Sequence, residues 1–335
     1  MIFFRIDLGN ERGLGHYQRI KSLINYLNIK KYKIIIDHLS DAKNLKNENN
    51  FEYLYPKKER FMDEKKDSKI FLNFVKKYSK KAVVIKDSYR LGYFWERAIY
   101  KYCKRLFIID DFLNKKHYAD IHINHSPNFH KIPENLIKTL KKNNKKKCKF
   151  LLGPEFSLFN SDPIKKKIKS DFVFYNGGSG NLNVYEKIIK NICRNKKYKI
   201  ILIIGPFSKN FKILKSKFKK KENIKLLYNP ENILNILSGT KVFISSAGIS
   251  MFESSHLKIP TLLFKMNKNQ NLSEFGYENL GHYFCLEKKD LKNVEKIAKL
   301  IKLMRENSNY IIEMMSKKGL NIDRIKNNYK KYLKF

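Results

Sequence analysis

The chain has 335 residues, enough for about two domains. Its 71 Lys and Arg against 31 Asp and Glu leave a formal charge of +40, and the 42% hydrophobic and 13% aromatic content excludes a disordered polycation. The longest apolar runs, such as Ile200-Ile201-Leu202-Ile203-Ile204, are strand length, far below the roughly 20 residues of a spanning helix, so no stable membrane insertion is expected.

Residues 2–6 read as a first strand, followed by a polar Gly-containing turn. A helix over 16–27 comes next, with Ile20, Leu23, Ile24 and Leu27 at 3- and 4-residue spacing. Further strands are predicted at 33–36, 82–85 and 106–109, with a shorter one near 120–124. The pattern breaks around 159–170, where Asn160-Ser161-Asp162-Pro163 runs into Ile164-Lys165-Lys166-Lys167. It restarts with a strand at 171–175, the turn Asn176-Gly177-Gly178-Ser179-Gly180-Asn181 and a helix over 182–193. Strands are then predicted at 199–204, 225–228, 242–245 and 261–264, and helices at 230–237, 248–257 and 291–304, with an amphipathic helical tail over 310–333. Strands that are nearly continuous in apolar residues and alternate with helices indicate parallel sheets covered on both faces. The expected architecture is α/β, with two Rossmann-like lobes over 1–165 and 166–335 whose parallel sheets face a central cleft.

Lysine is spread along the whole chain beside heavy use of Asn and Ile, which reads as compositional bias on a solvated surface. No zinc-finger spacing or RNP-like motif is present, so no nucleic-acid partner is expected. The cysteines Cys103, Cys148, Cys193 and Cys285 are far apart, which suggests neither a disulfide framework nor a zinc site. The N-terminus reads as a strand and not as a signal peptide, and a cytoplasmic location is the simplest expectation.

Two constellations follow strands and open helices. In Gly13-Leu14-Gly15-His16-Tyr17-Gln18-Arg19, the glycines permit a tight turn and His16 sits near a helix N-terminus, where an anion is favoured. Gln18 breaks the dinucleotide G-x-G-x-x-G, so no nicotinamide cofactor is expected, and His16 can be a catalytic imidazole or a capping group. In Ser245-Ser246-Ala247-Gly248-Ile249-Ser250-Met251-Phe252-Glu253, small residues leave backbone N–H groups for phosphate, and Glu253 can accept from ribose hydroxyls. The plainer alternative is a capping box of Ser250 and Glu253. Asn269 and Gln270 lie just past a strand, suited to sugar hydroxyls, and Gly177-Gly178 can cradle a phosphate or simply make a tight turn. Asp87-Ser88-Tyr89 and Asp110-Asp111-Phe112 end strands. Asp110 and Asp111 can ligate a metal, but with no neighbouring His or third carboxylate in the local sequence, no metal is expected.

In their order, these pieces resemble the UDP-sugar hydrolase family of pseudaminic acid biosynthesis, which acts on UDP-2,4-diacetamido-2,4,6-trideoxy-β-L-altropyranose. The resemblance runs from Arg5-Ile6-Asp7 and Gly13–Arg19 through Asp87-Ser88-Tyr89, Asp110-Asp111-Phe112 with Asp120 and Asn124, and Gly153-Pro154-Glu155-Phe156-Ser157-Leu158. Gly177-Gly178, Ser246-Ala247-Gly248 with Glu253, and Asn269-Gln270 complete it. It implies a GT-B-like fold related to the murein N-acetylglucosaminyltransferase. His16 would be the catalytic residue, Tyr89 and Asn269 would line the sugar site, and Ala247, Gly248 and Glu253 would hold UDP. Gly13, Gly15, Arg19, Asp87, Gly178, Ser250 and Gln270 complete the expected substrate-binding set. Water would attack the anomeric carbon with inversion, without metal or cofactor, in a monomer. A GT-B glycosyltransferase using a UDP-sugar donor is the first alternative, and a non-catalytic nucleotide-sugar or nucleic-acid binding protein the second. Gly180 stands where the family usually carries Asp, Ile20 where it commonly carries Cys, and a Lys-rich insertion lies near 141–147.

Overall fold

The computed structural model describes residues 1–9, 12–38, 42, 45, 50–56, 63–112, 115–127, 134–144, 147–208, 211–266, 270, 274–316 and 318–333. The chain divides into two compact units: Met1–Arg12, His16–Leu158 and Asp323–Phe335 form the first, Gly13–Gly15 and Phe159–Ile322 the second.

The first unit is a seven-stranded parallel sheet. Its strands are β1 (Ile2–Ile6), β2 (Tyr32–Ile36), β3 (Phe51–Tyr53), β4 (Ala82–Asp87), β5 (Cys103–Ile109), β6 (Ile121–Asn124) and β7 (Lys149–Leu152), in the order β3-β2-β1-β4-β5-β6-β7. Helices α1 (Gly15–Leu27), α2 (Glu64–Lys76), α3 (Tyr93–Tyr100) and α4 (Glu134–Asn143) connect the strands. Phe3, Phe71, Val84, Trp95 and Ile108 form a core on one face. Every residue of β1 and β4 is buried, including Arg5 and Lys86, which explains why their sequences lack the alternation of a half-exposed strand.

The second unit is a six-stranded parallel sheet. Its strands are β8 (Ser170–Tyr175), β9 (Ile200–Ile204), β10 (Ile224–Tyr228), β11 (Thr240–Ser246), β12 (Thr261–Lys265) and β13 (Phe284–Glu287), in the order β10-β9-β8-β11-β12-β13. Helices α5 (Glu186–Ile192), α6 (Phe211–Phe218), α7 (Leu234–Leu237), α8 (Ser250–His256), α9 (Glu274–Glu278), α10 (Val294–Glu306) and α11 (Ser308–Ser316) accompany it. The doubly-wound strand order, with its reversal beside β8, places the β8 and β11 carboxyl ends at the position where such sheets bind ligands.

The expected strands all form. Three short ones, β3, β7 and β13, were not legible because they contain charged or half-exposed residues and gain their pairing from a longer neighbour. The expected helix over 182–193 begins as a 3₁₀ turn at Leu182–Tyr185, and the one over 230–237 shrinks to α7. The tail is two helices, α11 and α12 (Ile322–Tyr332), separated at Gly319, whose φ of +99° lies outside the helical range and favours glycine. The change-over between units falls at 158/159 where 165/166 was expected, and from Asp323 the chain returns to the first unit. There α12 buries Tyr329, whose hydroxyl donates to Phe156 O at 2.5 Å and whose ring packs on Tyr26 and Phe156. No helix among the described residues is long and apolar enough to cross a membrane.

Candidate active site

In the first unit the strands end in aspartates: Asp7 after β1, Asp37 after β2, Asp87 at the end of β4, Asp110 and Asp111 after β5. Asp7, Asp37, Asp87 and Asp111 are each answered by an arginine from another part of the unit, as buried charge requires. Arg5, fully buried within β1, pairs with Asp37 and with Asp67 of α2, the latter at 2.6 Å. Asp67 also accepts from Trp95 Nε1 at 2.8 Å and Tyr55 OH at 3.0 Å. Arg90 reaches Asp7 at 2.5 Å and Asp37 at 2.9 Å, and Arg12 reaches Asp37 at 2.7 Å. Tyr89 N–H donates to Asp7 at 3.1 Å, tying the loop after β4 to the end of β1.

On this frame α1 presents His16 and Arg19, one turn apart on the same face. His16 Nδ1 lies 2.6 Å from Asp87 Oδ1. A carboxylate only accepts, so Nδ1 carries the proton. Arg19 Nη2 is also 2.9 Å from that nitrogen, but a protonated Nδ1 offers it no lone pair; Nη2 donates to Asp87 Oδ1 at 2.6 Å, and Nε to Asp87 Oδ2 at 2.8 Å. Nε2 of His16 makes no hydrogen bond among the described residues. The ring is therefore held in the tautomer whose free lone pair can take a proton, the orientation a general base needs.

Arg19 Nη1 donates to Asp111 Oδ1 at 2.7 Å, and Tyr89 OH donates to the other Asp111 oxygen. Burial favours the neutral form of Asp111, but Arg19 outweighs it and holds the carboxyl well below the usual range. Burial, followed by Asp111, pushes the Tyr89 phenol well above 10, so it stays a donor. The Tyr89 ring stands edge-on to His16, centroids 4.6 Å apart, and packs on Phe112. His125 sits 3.8 Å from Asp111, and burial depresses its imidazole to about 4. The expected set His16, Arg19, Asp87 and Tyr89 is thus one connected network. Arg19 bridges the two carboxylates, donating from Nε and Nη2 to Asp87 and from Nη1 to Asp111. Asp37, Asp67, Arg90 and His125 were not singled out from sequence, where isolated charges carry no sign of burial, and Arg5 entered only as part of the opening motif.

In the second unit the β11–α8 turn holds Ala247, Gly248 and Ser250. Ala247 N–H donates to Phe264 O at 3.0 Å and Gly248 N–H to Ser246 O at 2.8 Å, so both are engaged within the turn. The N–H groups of Ile249 and Ser250 make no hydrogen bond among the described residues. Ser250 Oγ lies 3.0 Å from Ser245 Oγ, and the residue before α8, Ile249, makes no side-chain cap. The capping-box alternative for Ser250 and Glu253 is therefore not formed. Glu253 is buried, which raises its carboxyl to about 7 despite a hydrogen bond from the Asn160 backbone. Gln270 Oε1 accepts from Met266 N–H at 2.7 Å and braces the chain after β12. Gly178 O accepts from Phe207 N–H at 2.9 Å, Gly13 has a φ of +77°, and Gly15 opens α1. Asn269 lies outside the described residues. A Cβ on Gly180 would overlap the Asn176 carbonyl oxygen, so the turn has no room for the Asp expected there by resemblance.

Residues 172–329 match the glycosyltransferase family 28 C-terminal domain. The second unit accounts for most of that match. The chain's fold resembles that of MurG of Acinetobacter baumannii, with a TM-score of 0.59, 9% identity, and coverage of 98% of this chain and 99% of that one. The chain has the GT-B fold. A second GT-B neighbour is Arabidopsis thaliana UGT89C1 complexed with UDP, with a TM-score of 0.60, 9% identity, and coverage of 98% and 99%. Among curated proteins, an uncharacterized protein of Methanocaldococcus jannaschii is 25% identical over 78% of this chain and 54% of its own length. A UDP-N-acetylglucosamine–N-acetylmuramyl-(pentapeptide) pyrophosphoryl-undecaprenol N-acetylglucosamine transferase of Pelagibacter ubique is 25% identical over 51% of each chain. The GT-B chain spans about half the length of the curated relatives it matches.

Proposed function

We propose that the chain is a glycosyltransferase-like enzyme that cleaves a UDP-sugar at its anomeric carbon, with His16 as general base. The observation that carries this reading is the His16 Nδ1–Asp87 contact of 2.6 Å, which leaves Nε2 as the proton acceptor. In the reaction, Nε2 takes the proton of an acceptor O–H, the acceptor oxygen bonds to the anomeric carbon, and the bond to the UDP oxygen breaks with inversion. Asp87 stabilises the imidazolium that forms, as a buried carboxylate does for a catalytic histidine. UDP leaves as a stable anion and needs charge stabilisation more than protonation. The second unit is assigned the nucleotide: Ile249 and Ser250 N–H groups for phosphate oxygens, Glu253 for the ribose. The match to the family 28 C-terminal domain and the UDP complex of a structural neighbour support that assignment.

Water as the acceptor, giving hydrolysis of UDP-2,4-diacetamido-2,4,6-trideoxy-β-L-altropyranose, is the second reading. It is favoured by the motif residues His16, Arg19, Asp87, Tyr89 and Asp111, which are joined by hydrogen bonds and ring contacts. Incubation with that UDP-sugar, and separately with other UDP-sugars and acceptors, followed by NMR detection of UDP and sugar, distinguishes the two. UDP release without acceptor supports hydrolysis, and release only with acceptor supports transfer. No release under either condition from a protein that binds UDP refutes the enzyme reading. His16→Ala is expected to abolish turnover with UDP binding intact; unchanged turnover removes His16 from the base role.

A further inference from the structure

A second cluster in the first unit is not used by the chemistry above. Asp110 lies just past β5, His117 seven residues on, and His122 within β6. All three are buried, and one ligand atom from each lies within 4.8 Å of the others. His122 is fully buried, and neither of its ring nitrogens has a hydrogen-bond partner among the described residues. We propose that Asp110, His117 and His122 form a buried binding site for a borderline divalent metal ion, Zn²⁺ being the best fit.

The hydrogen bonds around the cluster set its donor atoms. Glu96 of α3 accepts from Lys86 Nζ at 2.6 Å and from the Tyr118 N–H at 2.6 Å. Its Oε1 also lies 2.8 Å from His117 Nδ1, and a carboxylate flanked by an ammonium stays an acceptor, so Nδ1 carries a proton. Nε2 of His117 then faces Asp110 Oδ2 at 3.3 Å. Two acceptors at that distance need a cation between them. With metal–ligand bonds of about 2.0 Å, the edge of a tetrahedral site is itself about 3.3 Å. Glu96, donated to by the far nitrogen of His117, occupies the place of the carboxylate that orients a metal-bound histidine. Two imidazoles and one carboxylate suit Zn²⁺ and its borderline neighbours, not the oxygen-only preference of Ca²⁺ or Mg²⁺.

The competing occupant is a second proton on His117, which would bridge Glu96 and Asp110. That proton leaves His122 with no partner, whereas a metal ion gives one of its nitrogens a bond. The His122 side must close by at most about 1.5 Å to reach bonding distance. A metal here would also brace the end of β5, where Asp111 holds Arg19 and Tyr89.

The test uses the full chain, stripped with a chelator, reloaded with Co²⁺ or Zn²⁺ and desalted. Metal per chain is measured by mass spectrometry, and the Co²⁺ form by visible absorption. The wild type is expected to retain one ion per chain, to show the intense band of low-coordinate cobalt, and to melt at a higher temperature with Zn²⁺ than without. His122→Leu, which keeps apolar volume, and His122→Gln are expected to lose the ion, the band and the Zn²⁺-dependent rise in melting temperature, with circular dichroism unchanged. No stoichiometric metal in the reloaded wild type would overturn the proposal in favour of the protonated bridge. Equal retention by a folded His122 variant would overturn it too, since the ion would then be bound elsewhere.

Discussion

Replacing Glu253 by Gln tests the environment of the second unit most directly. Burial raises the Glu253 carboxyl from the ordinary 4.5 to about 7. At about 1.4 kcal/mol per tenfold change in proton affinity, that gap corresponds to about 3 kcal/mol. A folded-state value above the unfolded one means that the folded chain binds the proton more tightly. The contribution is therefore fully present below 4.5 and lost as the pH rises through 7. Glu253→Gln keeps the shape and cannot ionise, so it does not suffer this loss. The variant should match the wild type within about 1 kcal/mol near pH 5 and exceed it by about 3 kcal/mol near pH 8.5. For a unit of this size that is a difference in melting temperature of roughly 6–12 °C. Urea and thermal unfolding of both proteins across the pH range measure it, and pH effects common to both cancel in the difference. A difference that stays flat with pH would refute the reasoning, because it would mean that Glu253 is not held near 7. Under the proposed ribose contact, the charged carboxylate is the better acceptor. UDP should then bind the wild type more tightly as the pH rises through 7, relative to the variant, by isothermal calorimetry.

Three further outcomes follow from single contacts. Asp87→Asn removes the acceptor that holds the His16 Nδ1 proton, and should lower kcat by about 10²–10⁴-fold with little change in UDP affinity. A kcat within twofold of wild type, about 0.4 kcal/mol, would dismiss the dyad. Gly180→Asp, which restores the residue expected from resemblance, should lower the unfolding free energy of the second unit by about 1–3 kcal/mol, because its Cβ meets the Asn176 carbonyl; unchanged urea unfolding would contradict the crowded turn. Tyr329→Ala should destabilise the first unit by about 3–5 kcal/mol through lost ring packing and the lost bond to Phe156 O. Hydrogen exchange should locate that effect in residues 1–158, and an effect confined to the second unit would contradict the docking of α12.

Some of this was legible from local pattern. The apolar runs at 2–6, 82–87 and 200–204 announce buried parallel strands because every residue in them must avoid water, whichever face it points to. His16 and Asp87 were legible as candidates because each ends or follows a strand beside a turn. Their partnership was not. They lie 71 positions apart, and only the adjacency of β1 and β4 brings α1 over the end of β4. For Asp110 the histidines were near in sequence but not adjacent: His117 and His122 follow within twelve residues, and only the return of the chain and the pairing of β6 with β5 bring them to it.

The charge of +40 follows from composition alone, and so do the two-domain length and the absence of any spanning apolar run. What tertiary structure decided is which charges are inside. Arg5, Lys86 and Arg19 look in sequence like any of the 71 basic residues. Each is buried because a carboxylate from another element meets it, and burying a charge is tolerable only when such a partner is in place. Composition counts charges, but only the packing of strand ends, α1, α2 and α3 can pair them. The site therefore depends on pairings among residues that no local window contains.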